Sequence, residues 1–209
     1  MNVDEILKKI EKIIPNSATF NKRIIEHIKT EHFPLIYQSL YEHINHHQES
    51  EEFKTLLLKQ HYLEIINDVY RTRLSKKGVE LIKQKLEEVS DFKKYNEVIE
   101  KFAKCNFSNK KKKKPDKDAF SLGTKVLHTF NPDENPILDS VIRKQLKLGN
   151  IIDSKLYRNF REAMNNFVVN NPDCFSKNNL KKLNNEFKKY NLKPDFPKMK
   201  LLDMALYEK

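Results

Sequence analysis

The chain has 209 residues, with 40 Lys+Arg against 29 Asp+Glu for a formal charge of +11; 38% of its residues are hydrophobic and 33% charged. This is too apolar for disorder throughout and too polar for a membrane span, and no apolar run approaches the ~20 residues a bilayer requires. Only three glycines (Gly78, Gly123 and Gly149) exclude a glycine-rich phosphate loop and a dinucleotide-binding fingerprint, and they argue against most all-β folds. The acidic start, Met1-Asn2-Val3-Asp4-Glu5, lacks the basic and then apolar layout of a secretory signal. Two cysteines, Cys105 and Cys174, make neither a disulfide framework nor a four-cysteine zinc site, so a reduced, cytoplasmic protein is expected.

In chain order the pattern is helical throughout. Ile6, Ile10 and Ile13 recur at spacings of four and three in a segment from Val3 to Ile14 that stops at Pro15. Ser17 or Thr19 caps a helix to about Thr30, and Pro34 opens one from Leu35 to about His47. Ser50 caps a segment from Glu51 to about Arg71 carrying Phe53, Leu56, Leu57, Leu63, Ile66 and Tyr70. Ser75 caps a helix with Val79, Ile82, Leu86 and Val89, and Ser90 starts another from Asp91 to about Lys104. These caps are expected because Ser and Asp oxygens accept the free N–H groups of a first turn. Asn106 to Asp118 breaks the pattern: Lys110 to Lys114 repel one another and Pro115 stops a helix, so the segment reads as an exposed basic loop, either a solvated linker or an arm that touches phosphate. Helices follow from about Ser121 to Phe130, from Ser140 to about Leu148 with Asp139 before it and Gly149 ending it, from about Asp153 to Val169, from Ser176 to Tyr190, and from about Pro197 to Tyr207.

The charge is unevenly divided. Residues 1–100 hold 16 Lys+Arg against 17 Asp+Glu, a net of −1; residues 101–209 hold 24 against 12, a net of +12. Of the basic residues 34 are Lys and 6 are Arg. An AT-rich genome enriches lysine everywhere and so does not account for the asymmetry. A basic half points to an anionic partner, with nucleic acid first and DNA ahead of RNA. The organisation read from this is one compact unit: a near-neutral helical layer over 1–105, a basic loop over 106–118, and a basic helical layer over 119–209, with the site between the layers.

The stretch Ala119-Phe-Ser-Leu-Gly-Thr-Lys-Val-Leu-His-Thr-Phe130 and the stretch Pro136-Ile-Leu-Asp139-Ser-Val-Ile-Arg143 carry the chemistry. Gly123, at a helix start, permits close backbone approach, and free N–H groups there attract phosphate. Lys125 follows in the first turn, His128 lies one turn further on, and Asp139 precedes the next helix. An Asp in that place is ordinarily an N-cap, a Lys in so lysine-rich a chain is ordinarily solvated, and a lone His is ordinarily structural.

Gly123-Thr124-Lys125-Val126 followed by Pro136-Ile137-Leu138-Asp139 resembles the helix-hairpin-helix DNA glycosylases, in the oxoguanine-glycosylase branch. Lys200-Leu201-Leu202-Asp203-Met204-Ala205-Leu206 resembles the closing helix of small bacterial proteins of that fold. The resemblance covers about residues 119–146 and the C-terminus, with a single glycine in the hairpin, a short Lys-to-Asp spacing and no room for an extra β domain. It implies an all-α, two-layered helix-hairpin-helix glycosylase-like bundle. It also implies a DNA-repair activity, glycosylase or glycosylase/lyase, with Lys125 as nucleophile and Asp139 as its carboxylate partner. Gly123, Thr124, His128, Arg143 and Lys110, Lys111, Lys112, Lys113 and Lys114 would then meet DNA, and Arg143 could equally pair with Asp139. No metal or organic cofactor is expected. The alternative is a non-catalytic module that binds nucleic acid or a protein partner within a prokaryotic defence or stress system, such as phage defence.

Weaker signals lie beside these. His43 and His47 share a helix face with His46 nearby, but the Glu of a zinc-protease pair is missing. The Arg-x(4–6)-His spacing of small helical ribonuclease toxins is absent, since only three residues separate Arg23 from His27. Tyr37, Tyr41, Phe92 and Phe102 read as core, and neither cysteine has the surroundings of a nucleophile.

Overall fold

The structure is a computed structural model describing residues 1–30, 36–40, 49–59, 61–70, 74–103, 106–107, 117–149, 153–193 and 195–207. The all-α class holds. The helices are α1 (Val3–Ile13), α2 (Ser17–Thr30), α3 (Ser50–Lys59), α4 (Tyr62–Val69), α5 (Lys76–Glu87), α6 (Tyr95–Ala103), α7 (Phe120–Phe130), α8 (Ser140–Gln145), α9 (Ser154–Asn170), α10 (Lys177–Lys188) and α11 (Lys198–Leu206). A 3-10 turn, Pro172–Phe175, joins α9 to α10, and residues 36–40 are also helical. Between α6 and α7, β1 (Asn106–Phe107) and β2 (Lys117–Asp118) pair antiparallel, with Asn106 opposite Asp118. The expected loop thus begins and ends in a two-residue ladder: α6 and α7 lie side by side, which brings the two ends of the connection together.

The helix starts follow the capping rule, with different residues at some of them. Asn2 forms a capping box with Glu5, each side chain bonding the other's backbone N–H. Asn16, rather than Ser17 or Thr19, caps α2 through the Thr19 N–H at 2.9 Å. Ser75 accepts from Gly78, Asp153 from Leu156 and Ser176 from Asn179.

Three expected elements are corrected. The segment read as one helix from Glu51 to Arg71 is two, α3 and α4, broken where His61 takes the left-handed φ of 59°. Ser50 is no cap: its hydroxyl donates to Asp91 and accepts from the Phe92 N–H at 3.2 Å, tying α3 to the turn before α6. That use of Asp91, with its Oδ1 also accepting from Lys93, makes residues 91–94 a turn, so α6 starts at Tyr95 rather than Asp91. At the end of α8, Lys147 takes the left-handed position that closes the helix, with φ 50°, and Gly149, also left-handed with φ 81°, follows two residues later. Leu148 N–H then reaches Arg143 O at 3.0 Å and Lys147 N–H reaches Lys144 O at 3.1 Å, the paired bonds of a Schellman ending.

Packing divides the helices differently from the sequence halves. α1 lies along α9, and α2 against α10 and α11, so residues 3–30 pack with the basic second half. α3 to α6 form the other group; α7 packs on α4 and α6, α9 also touches α6, and α11 touches α8. The reason is burial. Ile6 and Ile10 of α1 and Phe20 and Ile24 of α2 are fully buried, and each such side chain contributes about 1.5–3 kcal/mol when removed from water. Among the described residues no helix is long and apolar enough to cross a membrane.

Candidate functional site

α7 is almost wholly interior: Phe120 and every residue from Leu122 to Thr129 are buried, polar ones included. A helix that is buried all round must settle its polar side chains inside the protein, and this is how the site is built. Gly123 is one turn into the helix. Its N–H is used by Ala119 O at 2.9 Å, and a Cβ at this position would lie 2.9 Å from Cβ and Cγ of Phe102. The glycine therefore lets α6 and α7 approach closely, and its N–H is not open to a phosphate. Thr124 donates to Ser121 O at 3.0 Å and accepts from the Leu138 N–H at 3.2 Å, fixing the 135–139 loop to α7.

That tie brings Asp139 to Lys125. The Lys125 Nζ lies 3.9 Å from Asp139 Oδ2, with side-chain exposures of 6% and 17%. This exceeds hydrogen-bond distance. Asp139 divides its two oxygens between two tasks: Oδ1 caps α8 by accepting from Val141 at 2.9 Å and Ile142 at 3.0 Å, and Oδ2 faces the amine. The Tyr70 ring, at the end of α4, lies 5.5 Å from the Lys125 Nζ. Burial lowers the Lys125 pKa; Asp139 and Asp203 act against this and Lys200 acts with it.

His128 is fully buried, and sequence reasoning that placed it beside phosphate is corrected. Its Nδ1 lies 2.6 Å from Asn135 O and its Nε2 3.0 Å from the Tyr37 hydroxyl. A carbonyl only accepts, so Nδ1 carries the proton and Nε2 accepts from Tyr37. Burial, with the Lys200 charge adding, pushes its pKa down to about 3 and holds it neutral. Arg143 is half-buried; among the described residues no ion pair joins it to Asp139, and its Nε is buried without a hydrogen-bond partner. Lys110, Lys111, Lys112, Lys113 and Lys114 lie outside the described residues, as do Tyr41, His43, His46, His47 and Cys105. No group of three His, Cys, Asp or Glu suited to a metal occurs among the described residues.

Four residues were not singled out as site residues by the sequence. Lys200 and Asp203 of α11 are 1% and 6% exposed, with Nζ to Oδ2 at 2.6 Å. The Tyr37 ring lies 4.7 Å from the Lys200 Nζ, and Tyr70 covers Lys125. Burial raises the Asp203 carboxyl and Lys200 opposes the rise, while Asp139 and Lys125 act on it in opposite directions. One signal was available: Lys200 and Asp203 sit one turn apart in a stretch from Met199 to Leu206 with no other polar residue. Charges there have no solvated face to occupy.

No model of a known protein family, no curated protein and no solved structure matches this chain.

Proposed function

We propose that the chain is a DNA-binding glycosylase or glycosylase/lyase-like enzyme acting on a damaged or modified base, with Lys125 as nucleophile and Asp139 as its carboxylate partner. The observation that carries this reading is the pairing itself: the amine of a buried lysine 3.9 Å from the second oxygen of an aspartate whose first oxygen is anchored on a helix start. Burial favours the neutral amine, the form that attacks. The target nucleotide leaves the stack so that its sugar carbon can be reached. The Lys125 nitrogen forms a bond to C1′ as the C1′–base bond breaks, and the base leaves with that electron pair and takes up a proton. Asp139 stabilises the positive charge developing on the sugar and accepts a proton from the amine. The sugar ring opens to an imine with Lys125. Loss of a C2′ proton then expels the 3′ phosphate by β-elimination. Borohydride reduces the imine, so it should fix the wild-type protein covalently to DNA carrying an abasic or oxidised site, and Lys125→Ala should not be fixed.

A second reading rests on an observation of its own. Asp139 caps α8, and Lys125 and Lys200 are each sheltered beside an aspartate and an aromatic ring, an arrangement that also serves a buried structural network in a non-catalytic module that binds nucleic acid or a protein. In that case Lys125→Met, which replaces a buried charge by an apolar chain of similar length, should leave DNA affinity unchanged.

A further inference from the structure

α10 carries the largest excess of basic over acidic residues of any described helix: Lys177, Lys181, Lys182 and Lys188 against Glu186 alone. Its inner face is a stripe of Asn179, Leu183 and Phe187, all buried, at the four-residue spacing of one helix side. That stripe fixes the helix. The Asn179 amide nitrogen donates to Cys174 O at 2.8 Å and to Asn21 Oδ1 at 2.9 Å, the Asn21 amide donates back to Asn179 Oδ1 at 2.6 Å, and the rings of Phe187 and Phe196 meet edge-on, 5.1 Å apart. The outer face is therefore held at fixed spacing. Lys177, Lys181 and Lys188 form a row on it, flanked by Lys182, Asn178 and Asn185, and all six are exposed. The row is about 16 Å long at 1.5 Å per residue.

Internal pairing does not account for these cations. Among the described residues none of the four lysines has an ion pair, and Glu186 is already taken by Lys189 at 2.6 Å. On α5, by contrast, Lys83 is paired with Glu64 and Lys85 with Glu88, each at 2.6 Å. Helix stability does not account for them either: Lys177 stands in the first turn, where the helix dipole favours an acid, and that turn holds none. The face has no aromatic, methionine or arginine, the residues that enrich protein–protein interfaces. It has no exposed apolar residue with which to enter a lipid surface. Lysine and asparagine side chains are among those that hold phosphate oxygens.

We infer that the outer face of α10 is a docking surface for duplex DNA, which it holds through the phosphates of one strand and without regard to base sequence. Lys177, Lys181, Lys182 and Lys188 neutralise phosphate charge, and Asn178 and Asn185 donate hydrogen bonds to phosphate oxygens. The choice of DNA over RNA rests on the reading of Lys125 as a glycosylase nucleophile; the cationic face does not. α10 packs chiefly on α2 and the 3-10 turn, whereas Lys125 and Asp139 belong to α7 and the start of α8. Its contribution is affinity and not chemistry.

The test is fluorescence anisotropy of a labelled, undamaged duplex titrated with the whole chain over a series of salt concentrations. Wild type is compared with a variant carrying Lys177→Gln, Lys181→Gln, Lys182→Gln and Lys188→Gln. A charge-matched control carries Lys8→Gln, Lys12→Gln, Lys76→Gln and Lys77→Gln, four exposed lysines of α1 and α5. Circular dichroism checks the fold of each, and Lys181→Gln with Lys188→Gln serves as a smaller variant should the fourfold one fail to fold. The α10 variant should bind about tenfold or more weakly near physiological salt, and its slope of log K against log salt concentration should be shallower by about 3–4, four phosphates at ~0.9 each. The control should keep the wild-type slope. A slope unchanged in the α10 variant, or lowered equally in the control, overturns the inference. So does a loss confined to single-stranded RNA of the same length or to phosphatidylserine vesicles, with duplex affinity intact. The binding assay involves no chemistry at Lys125. A shallower slope together with wild type that traps no lesion would sink the glycosylase reading and leave the α10 surface standing; trapping by wild type with an unchanged slope would do the reverse.

Discussion

Single residues in this protein serve two purposes, and substitutions can separate them. Asp139 caps α8 with one oxygen and faces Lys125 with the other. Asp139→Ala should lose about 1 kcal/mol of stability with the cap, whereas Asp139→Asn, which keeps an accepting oxygen, should melt close to wild type and still lose trapping. Equal losses of stability in a urea titration would contradict that division. His128 supplies a pH dependence. Its folded pKa of about 3 lies below the unfolded value near 6.5. The unfolded state therefore binds the extra proton between those values, and the stability this group contributes is complete above pH 6.5 and is lost as the pH falls. Between pH 7 and pH 5 the loss should be about 2 kcal/mol, and a His128→Gln variant, less stable at pH 7, should show a flatter profile over the same interval. A wild-type melting temperature no more sensitive to this pH change than that of the variant would refute the assignment.

At the scale of elements, several helix starts were legible because capping chemistry is local: Ser75 and Asp139 cap where the sequence places a cap, and Asp153 and Ser176 cap helices that start where they were read, whereas the starts read at Ser17 or Thr19, Ser50 and Ser90 belong to other residues. The break between α3 and α4 was not. Phe53, Leu56, Leu57, Leu63 and Ile66 keep a helical apolar rhythm across His61, and only the tertiary placement of Tyr62 and Leu63 in the core makes a left-handed turn worth its strain. The candidate pair was legible from a short motif, and its second pair was not. A buried lysine in a chain with 34 lysines looks like any other until its helix is seen to be enclosed. Gly123 shows the same limit: its presence at the motif was visible, but not the Phe102 ring 2.9 Å from where a Cβ would stand. Alanine in place of glycine inside a helix ordinarily stabilises by up to about 1 kcal/mol. Here Gly123→Ala should instead destabilise by roughly 1–3 kcal/mol, with part of that recovered by Phe102→Leu in the same chain. An increase in stability for the single variant would show that α6 and α7 can separate at no cost.

For the whole molecule, the positive charge and the candidate site fall in the same half of the sequence, while the fold carries residues 3–30 across to pack on that half. The all-α class followed from periodicity and caps; the layering did not, because which helix faces which is decided by the fit of buried faces such as Ile6 and Ile10 against α9. If duplex DNA is the partner, affinity should fall steeply with salt, each neutralised phosphate contributing a slope near −0.9 in log K against log salt concentration. Replacing Lys110 to Lys114 by serine should flatten that slope without changing the chemistry at Lys125. The central claim, that Lys125 is a nucleophile beside Asp139, is tested most directly by borohydride trapping on duplexes carrying an abasic site or one of several oxidised or deaminated bases. The account predicts a covalent protein–DNA species for wild type and none for Lys125→Ala. It is contradicted by wild type that traps on none of them, or by trapping that survives the loss of Lys125.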